Sequence, residues 1–194
     1  MKILKDILYK VSVNTIYGDT NLEISQIDFD SRAVIEGSLF VAQKGVSVDG
    51  HLFIDKAIGL GATSVICEIL PEKKQENITF IQVDDSNTSL AIIASNFYDN
   101  PSSKLKLIGV TGTNGKTTIA SLLYQLYKKA GFKVGLLSTV QILVDTIVYE
   151  STHTTPDSVT INNYLNQMVN QGVTHCFMEV SSHGIHQKRT EGLE

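Results

Sequence analysis

Short apolar runs separated by glycine, proline and polar clusters recur along the chain, and their spacing predicts alternating helices and strands. Ile3 to Tyr9 predicts a short helix. Glu23 to Asp28 alternates, with Ile24 and Ile27 near a period of two, and Ser38 to Ala42 (SLFVA) reads as a further strand. Residues 51–60 place Leu52, Phe53, Ala57, Ile58 and Leu60 on one helical face, closed by Gly59 and Gly61. Ser64 to Cys67 and Thr79 to Val83 are buried-strand patterns. Ser86 to Tyr98 is helical, with Leu90, Ile93, Ala94 and Phe97 on one face. Asn100-Pro101-Ser102-Ser103 then separates two well-formed halves, and a domain boundary is expected there, between domains 1–100 and 104–194.

The second half changes style. Leu105 to Thr111 is an apolar, β-rich run that enters a glycine loop. Lys116 to Ala130 predicts a helix with Leu122, Leu123, Leu126 and Tyr127 as its apolar stripe, stopped by Gly131. Lys133 to Ser138 is the next strand, and Gln141 to Tyr149 suits a hairpin or edge strand. Thr155-Pro156-Asp157 opens another helix, with Thr155 expected as N-cap and Pro156 as first helical residue; Gly172 ends it. Val173 to Val180 is one more buried strand. Strands alternating with helices predict an α/β fold with a parallel sheet and crossover helices.

Composition narrows the class. The 194 residues are 42% hydrophobic and 19% charged, with 14 glycines and 3 prolines, which is a globular composition rather than a disordered or fibrous one. The net charge is −4, without the basic excess of a bulk nucleic-acid binder. The longest apolar runs are far shorter than the roughly 18 residues of a membrane span, and Lys2, Lys5 and Asp6 fall where a signal peptide needs apolar residues. A cytoplasmic protein with no membrane or nucleic-acid partner is expected. Cys67 and Cys176 each sit in a buried-strand pattern, with no CxxC or Cys/His cluster, so two reduced inert thiols are expected.

The chemistry concentrates in IGVTGTNGKTT, residues 108–118. A strand runs into Gly112-Thr113-Asn114-Gly115, and Lys116-Thr117-Thr118 opens a helix. Glycines let successive N–H groups curl around anionic oxygens, and the helix N-terminus adds partial positive charge. Lys116 can reach the β- and γ-phosphates of a nucleotide, and the Thr117 hydroxyl can ligate Mg²⁺. The general phosphate-loop pattern asks for glycine at position 110, where this chain has Val110. Downstream, Glu179 falls at the carboxyl end of the last strand, where ligands gather in parallel α/β sheets, and can hold a metal that bridges phosphate oxygens. The other reading is a solvent-exposed strand end. His183 and His186 share a helix face but lack a third metal ligand. Lys188 and Arg189 suit a carboxylate or phosphate, or simply solvent.

Several strings together resemble the Mur ligase family. GVTGTNGKTT is similar to its ATP loop, in a form that tolerates the missing first glycine; TTPDS at 154–158 and MEVSSHGIHQKR at 178–189 resemble two further motifs in the same order. Phe29-Asp30-Ser31-Arg32, Gly37-Ser38-Leu39-Phe40-Val41-Ala42 and Asp49-Gly50-His51 resemble the uridine-nucleotide domain of the MurE-type branch. The resemblance implies a small N-terminal α/β uridine-nucleotide domain, then the first part of a P-loop parallel-sheet ATPase domain. It implies a chain that stops inside that domain and lacks a C-terminal one, hence a fragment not competent alone and a monomer when complete.

The implied activity is ATP-dependent amide ligation in peptidoglycan precursor synthesis. A diamino acid, meso-diaminopimelate or L-lysine, is added to UDP-MurNAc-L-Ala-D-Glu through an acyl phosphate, with ATP and Mg²⁺ as cofactors. Carried onto this chain, Gly112, Thr113, Asn114, Gly115, Lys116, Thr117 and Thr118 hold ATP, Lys116 being catalytic, and Thr117 and Glu179 hold Mg²⁺. Phe29 and Ser31 contact the uridine nucleotide; His153, Thr154, Thr155, Ser181, Gln187 and Arg189 hold the muramoyl-dipeptide. The stretch Val46-Ser47-Val48 aligns with a further nucleotide contact. The competing readings are another Mur or folylpolyglutamate-type ligase, which needs no uridine domain in the folate case, and a non-catalytic P-loop nucleotide-binding module.

Overall fold

The computed structural model describes residues 1–45 and 48–194; Val46 and Ser47, part of the nucleotide-contacting stretch expected from sequence, lie outside the described residues. The chain divides into two compact units, Met1–Phe97 and Tyr98–Glu194.

In the first unit, β1 (Lys2–Ile3) pairs antiparallel with β3 (Glu23–Ile24) as a small separate sheet. A five-stranded sheet runs β2 (Val13–Tyr17), β7 (Thr79–Val83), β6 (Ala62–Cys67), β5 (Ser38–Val41), β4 (Ile27–Asp28). Its β4, β5, β6 and β7 are mutually parallel, and only edge strand β2 is antiparallel. The central strands are buried on both faces, which is why they read as continuous apolar runs. Phe40, Val65, Cys67 and Phe80 form one core with Ile54 and Ala57 of α2 (Ile54–Gly59). The last element, α3 (Ser86–Phe97), buries Leu90, Ile93 and Ala94.

Three expectations are corrected here. The helix over Ile3 to Tyr9 is only the single turn α1 (Leu4–Ile7), because the Leu4 and Lys5 N–H groups donate to the carbonyls of Leu22 and Thr20 and draw the preceding residues into β1. The alternating stretch from Glu23 to Asp28 is two strands in different sheets. The chain bends at Ser25, whose N–H donates to Gly37 O and whose hydroxyl donates to Glu36 O. Residues 50–59 begin as a 3₁₀ turn (Gly50–Phe53) before α2, and the tighter turn shifts the helical phase. Leu52 therefore points outward at 78% exposure and Leu60 is also exposed, while Ile54 takes the buried place.

In the second unit, a five-stranded sheet runs β11 (Ile147–Glu150), β10 (Gln141–Val144), β9 (Val134–Leu137), β12 (His175–Glu179), β8 (Lys106–Val110). Strands β9, β12 and β8 are parallel; β10 and β11 form an antiparallel hairpin on β9. Side chains alternate between two layers. Phe177, Leu136, Val134 and Leu143 meet Ala120 and Tyr124 of α4 (Lys116–Lys129). Cys176, Met178, Leu137, Ile142 and Val144 meet Ile161, Leu165 and Met168 of α5 (Ser158–Asn170). Gly135 leaves space that the Met168 side chain of α5 fills, since a Cβ there would overlap the Met168 sulfur.

The expected apolar stripe of α4 is corrected. Ala120 and Tyr124 are its buried residues, with Leu123 and Tyr127 partly buried, whereas Leu122 and Leu126 are exposed. The small Ala120 permits close approach to the sheet, and the Tyr124 hydroxyl donates to Asp145 O at 2.7 Å. The expected N-cap of α5 is also corrected. Asp157, not Thr155, caps it by accepting from Thr160 N at 2.9 Å. Both thiols are free and buried; burial pushes Cys67 up to about 11 and Cys176 higher still.

Candidate active site

The loop after β8 is built from conformations that side chains resist. Gly112 lies at φ +145° and Gly115 at φ +82°, the latter as the N-cap of α4 with no capping side chain. Among the described residues, no N–H from Gly112 through Thr118 donates to a protein acceptor. A row of unmatched donors at a helix N-terminus is an anion cradle. The Lys116 ammonium folds back over this loop and donates to Gly112 O at 2.8 Å. Thr113, Asn114 and Thr118 are exposed around it. Val110 explains the departure from the general pattern. It is the last residue of β8, paired with Glu179 of β12, and its side chain packs in the α4 layer, so the position belongs to the sheet and not to the turn.

The expectation for Glu179 divided between a metal ligand and a solvated strand end; at 1% exposure it is not solvated. One carboxylate oxygen accepts from the Thr117 hydroxyl at 2.8 Å and from the Thr139 hydroxyl at 3.3 Å; the other accepts from Thr139 N at 2.8 Å. All these donors are neutral. A buried carboxylate without a cation beside it is costly unless something positive completes the site. The donor set is entirely oxygen and sits beside the phosphate cradle, so it fits Mg²⁺ held by a carboxylate, a hydroxyl and nucleotide phosphates. Thr139 was not singled out from sequence. The available signal was its position just past the carboxyl end of β9, beside the other strand ends.

A second group of expected residues meets around the turn after β12. The buried Thr155 hydroxyl donates to Glu179 O at 2.9 Å and accepts from Ser181 N at 2.9 Å. Ser181 in turn caps α6 (Ser182–His186) by accepting from Gly184 N at 3.0 Å. Arg189 donates from Nη1 to Thr155 O and from Nε to the Gln187 amide oxygen. Gly184 packs on Thr155, where a Cβ would come within 2.9 Å of the threonine Cβ. The Thr154 and Thr139 hydroxyl oxygens lie 3.1 Å apart, linking this group to Glu179. Exposed His153 hydrogen-bonds, among the described residues, only with its neighbours Ser151 and Thr152.

Phe29 and Ser31 belong to the first unit, where they line a hollow of about 540 Å³ with Asp30, Arg32, Gln43 and Lys56 among others. Ser31 is buried, and its hydroxyl makes no hydrogen bond among the described residues. Arg32 forks onto Asp30 at 2.7–3.1 Å, holding that carboxyl down near 2. Burial instead pushes the nearby Asp28 carboxyl up.

Parallel strands ending in a glycine loop of unmatched donors beside a buried carboxylate have the architecture of a P-loop α/β unit. Family models make the assignment narrower: residues 110–194 match the Mur ligase middle domain and residues 23–98 match the Mur ligase family catalytic domain. The chain belongs to the Mur ligase family. It is 55% identical over 192 residues to the UDP-N-acetylmuramoyl-L-alanyl-D-glutamate--2,6-diaminopimelate ligase of Cytophaga hutchinsonii, covering 98% of this chain and 40% of that protein. It is 50% identical to the ligase of the same name from Phocaeicola vulgatus, again over 98% of this chain and 40% of the relative. A solved ligase of that name shares the fold with a TM-score of 0.77 at 24% identity, over 98% of this chain and 38% of its own. The MurF ligase of Thermotoga maritima, solved in complex with ADP, aligns with a TM-score of 0.51 at 25% identity over 81% of this chain and 32% of its own. The chain thus spans about 40% of the length of these curated relatives. Among the described residues no helix is long and apolar enough to cross a membrane.

Proposed function

We infer that this chain is part of an ATP-dependent ligase that extends UDP-MurNAc-L-Ala-D-Glu by a diamino acid in peptidoglycan precursor synthesis. The observation that carries the ATP half is the pairing of unmatched loop donors with the buried Glu179 carboxylate, 2.8 Å from the Thr117 hydroxyl. The identity to ligases named for this step supports the substrate, and 2,6-diaminopimelate in their names favours it over L-lysine as the amine. On this reading residues 1–100 bind the uridine nucleotide through Phe29 and Ser31, and residues 104–194 begin the ATP domain of a cytoplasmic enzyme.

The chemistry is in-line transfer followed by amide formation. The D-Glu carboxylate attacks the γ-phosphorus, the bond to the ADP oxygen breaks, and an acyl phosphate forms. The amine then displaces phosphate and loses a proton. The protein's work is positioning and charge neutralisation. The loop N–H groups hold the phosphates, and Lys116 offsets charge building on the transferred group. Mg²⁺, held by Thr117 and Glu179, would supply neutralisation of the phosphate oxygens. Arg189, steadied by Gln187 and Thr155 O, orients the acceptor carboxylate, with Thr154, Ser181 and His153 along the dipeptide.

Calorimetric titration of this chain with UDP-MurNAc-L-Ala-D-Glu, beside the same compound lacking D-Glu, tests the reading. Saturable binding that weakens at least tenfold without D-Glu is expected. Equal binding would confine recognition to the uridine end and remove the dipeptide roles; absence of binding to both would overturn the substrate.

A further inference from the structure

The sequence motif Asp49-Gly50-His51 contains a histidine that the function above does not use. Its ring is largely buried, with the side chain 12% exposed. Nε2 faces two backbone donors, Glu68 N at 2.9 Å and Ile69 N at 3.2 Å, just beyond the end of β6. A nitrogen that accepts from two N–H groups carries no proton, so the ring proton sits on Nδ1, which points at Asp49 Oδ1 2.6 Å away. The same carboxylate oxygen accepts from His51 N at 3.0 Å and caps the 3₁₀ turn. Backbone donation to Asp49 from His51 holds that carboxyl below its ordinary range, which keeps it the acceptor.

What this ring anchors is one wall of the 540 Å³ hollow. Gln43, Gly45 and Gly50 line it. Gly50 N donates to Gln43 O at 2.8 Å, and Gly45 N donates to Val48 O at 3.1 Å. Lys44 and Asp49 pair as an isolated bridge. The near end of this wall is fixed separately, by the Gln43 side chain donating to Asn87 Oδ1 at 2.8 Å and by Lys44 N donating to Ser86 Oγ. The far end has His51. Gly50 is pressed so closely on Gln43 that a Cβ would lie 2.7 Å from its carbonyl oxygen, so the two sides of the wall pack backbone against backbone.

We propose that His51 is a positioning residue: its uncharged imidazole, protonated at Nδ1, clamps the wall formed by Gln43, Gly45 and Gly50 to the end of β6 and so sets the width of the nucleotide pocket. The proposal rests on reading that hollow as the uridine-nucleotide site. It differs from a merely structural role in what a variant disturbs: the wall and the ligand, not the sheet.

The test uses the 194-residue chain with His51→Ala and His51→Gln, the glutamine keeping an oxygen that can accept from Glu68 N. Nitrogen-15 spectra of the wild-type ring are expected to place the proton on Nδ1; a proton on Nε2 overturns the proposal. Amide exchange at Gly45 and Gly50 is expected to accelerate at least tenfold in His51→Ala, while Val65 and Ile66 in β6 keep their wild-type rates. Unchanged exchange at the two glycines overturns it. Affinity for UDP-MurNAc-L-Ala-D-Glu is expected to fall at least tenfold in His51→Ala and to return to within about threefold of wild type in His51→Gln; equal affinity in His51→Ala overturns it. If the wild type itself does not bind, the pocket reading fails, and the exchange rates alone decide whether His51 positions the wall.

Discussion

The phosphate loop of the second unit and the hollow of the first are built on opposite principles. The loop presents donors with no acceptors, and beside it a buried carboxylate contacted only by neutral groups. The hollow has largely satisfied its own charges: Arg32 is forked onto Asp30, and His51 is matched on both ring nitrogens. A site left unsatisfied in the protein is completed by its ligand and gains most from charge. A site already satisfied is a shape, and gains from apolar contact and a few free groups such as the Ser31 hydroxyl. Removing a charge should therefore act strongly at the loop and weakly at the hollow.

The largest effect is expected from Lys116→Ala in the complete enzyme. Trapping of the acyl phosphate with hydroxylamine should fall by more than about tenfold, in line with loss of a group that stabilises developing phosphoryl charge. Retention of a tenth of the rate would remove Lys116 from its assigned role.

Glu179→Gln sharpens the contrast further. The amide keeps the shape and can still accept from Thr139 N, but the buried charge disappears. Mg²⁺-dependent ADP binding, followed by titration with and without the cation, should weaken about tenfold, while the unfolding midpoint stays level or rises because the desolvation cost is relieved. A large fall in the midpoint would mean that the charge is structural.

Thr155→Val tests how far the strand-end turn supports the second site. It removes the hydroxyl shared by Glu179 O and Ser181 N, and about 1–3 kcal/mol of stability should be lost by denaturant unfolding. The second unit alone should show it, and affinity of the first for a uridine nucleotide should not move.

The smallest effect is expected at Asp30. Its folded value lies near 2, below the unfolded value near 4, so Arg32 stabilises the fold above about pH 4, and the benefit is lost as pH falls through 2. The pair is solvent-screened, and Asp30→Asn should cost roughly half a kcal/mol at pH 7 and progressively less in acid. A loss of several kcal/mol would mean that the hollow depends on charge as the loop does.

The β8–loop–α4 segment was legible because glycines, a lysine and a hydroxyl are required together by phosphate chemistry. The parallel strands were legible because burial on both faces leaves continuous apolar runs. Edge strand β2 was not, since Val13-Asn14-Thr15-Ile16-Tyr17 is mostly exposed and carries little pattern. The buried face of α4 was misread because two apolar stripes share the helix, and periodicity does not say which one meets the sheet. Thr139 escaped for a related reason: it acts through hydrogen bonds to Glu179, 40 residues away, which leave no local signature, whereas the Asp49-Gly50-His51 string was visible but not the anchoring of its ring on the backbone of Glu68 and Ile69.

The glycine at 135 has a consequence for how this sequence can drift. The space a Cβ at position 135 would need is filled by the end of the Met168 side chain, so bulk added on the strand requires that side chain to move or shorten. Across relatives the two columns should trade size, a side chain at the strand position arriving only with a smaller one on the helix.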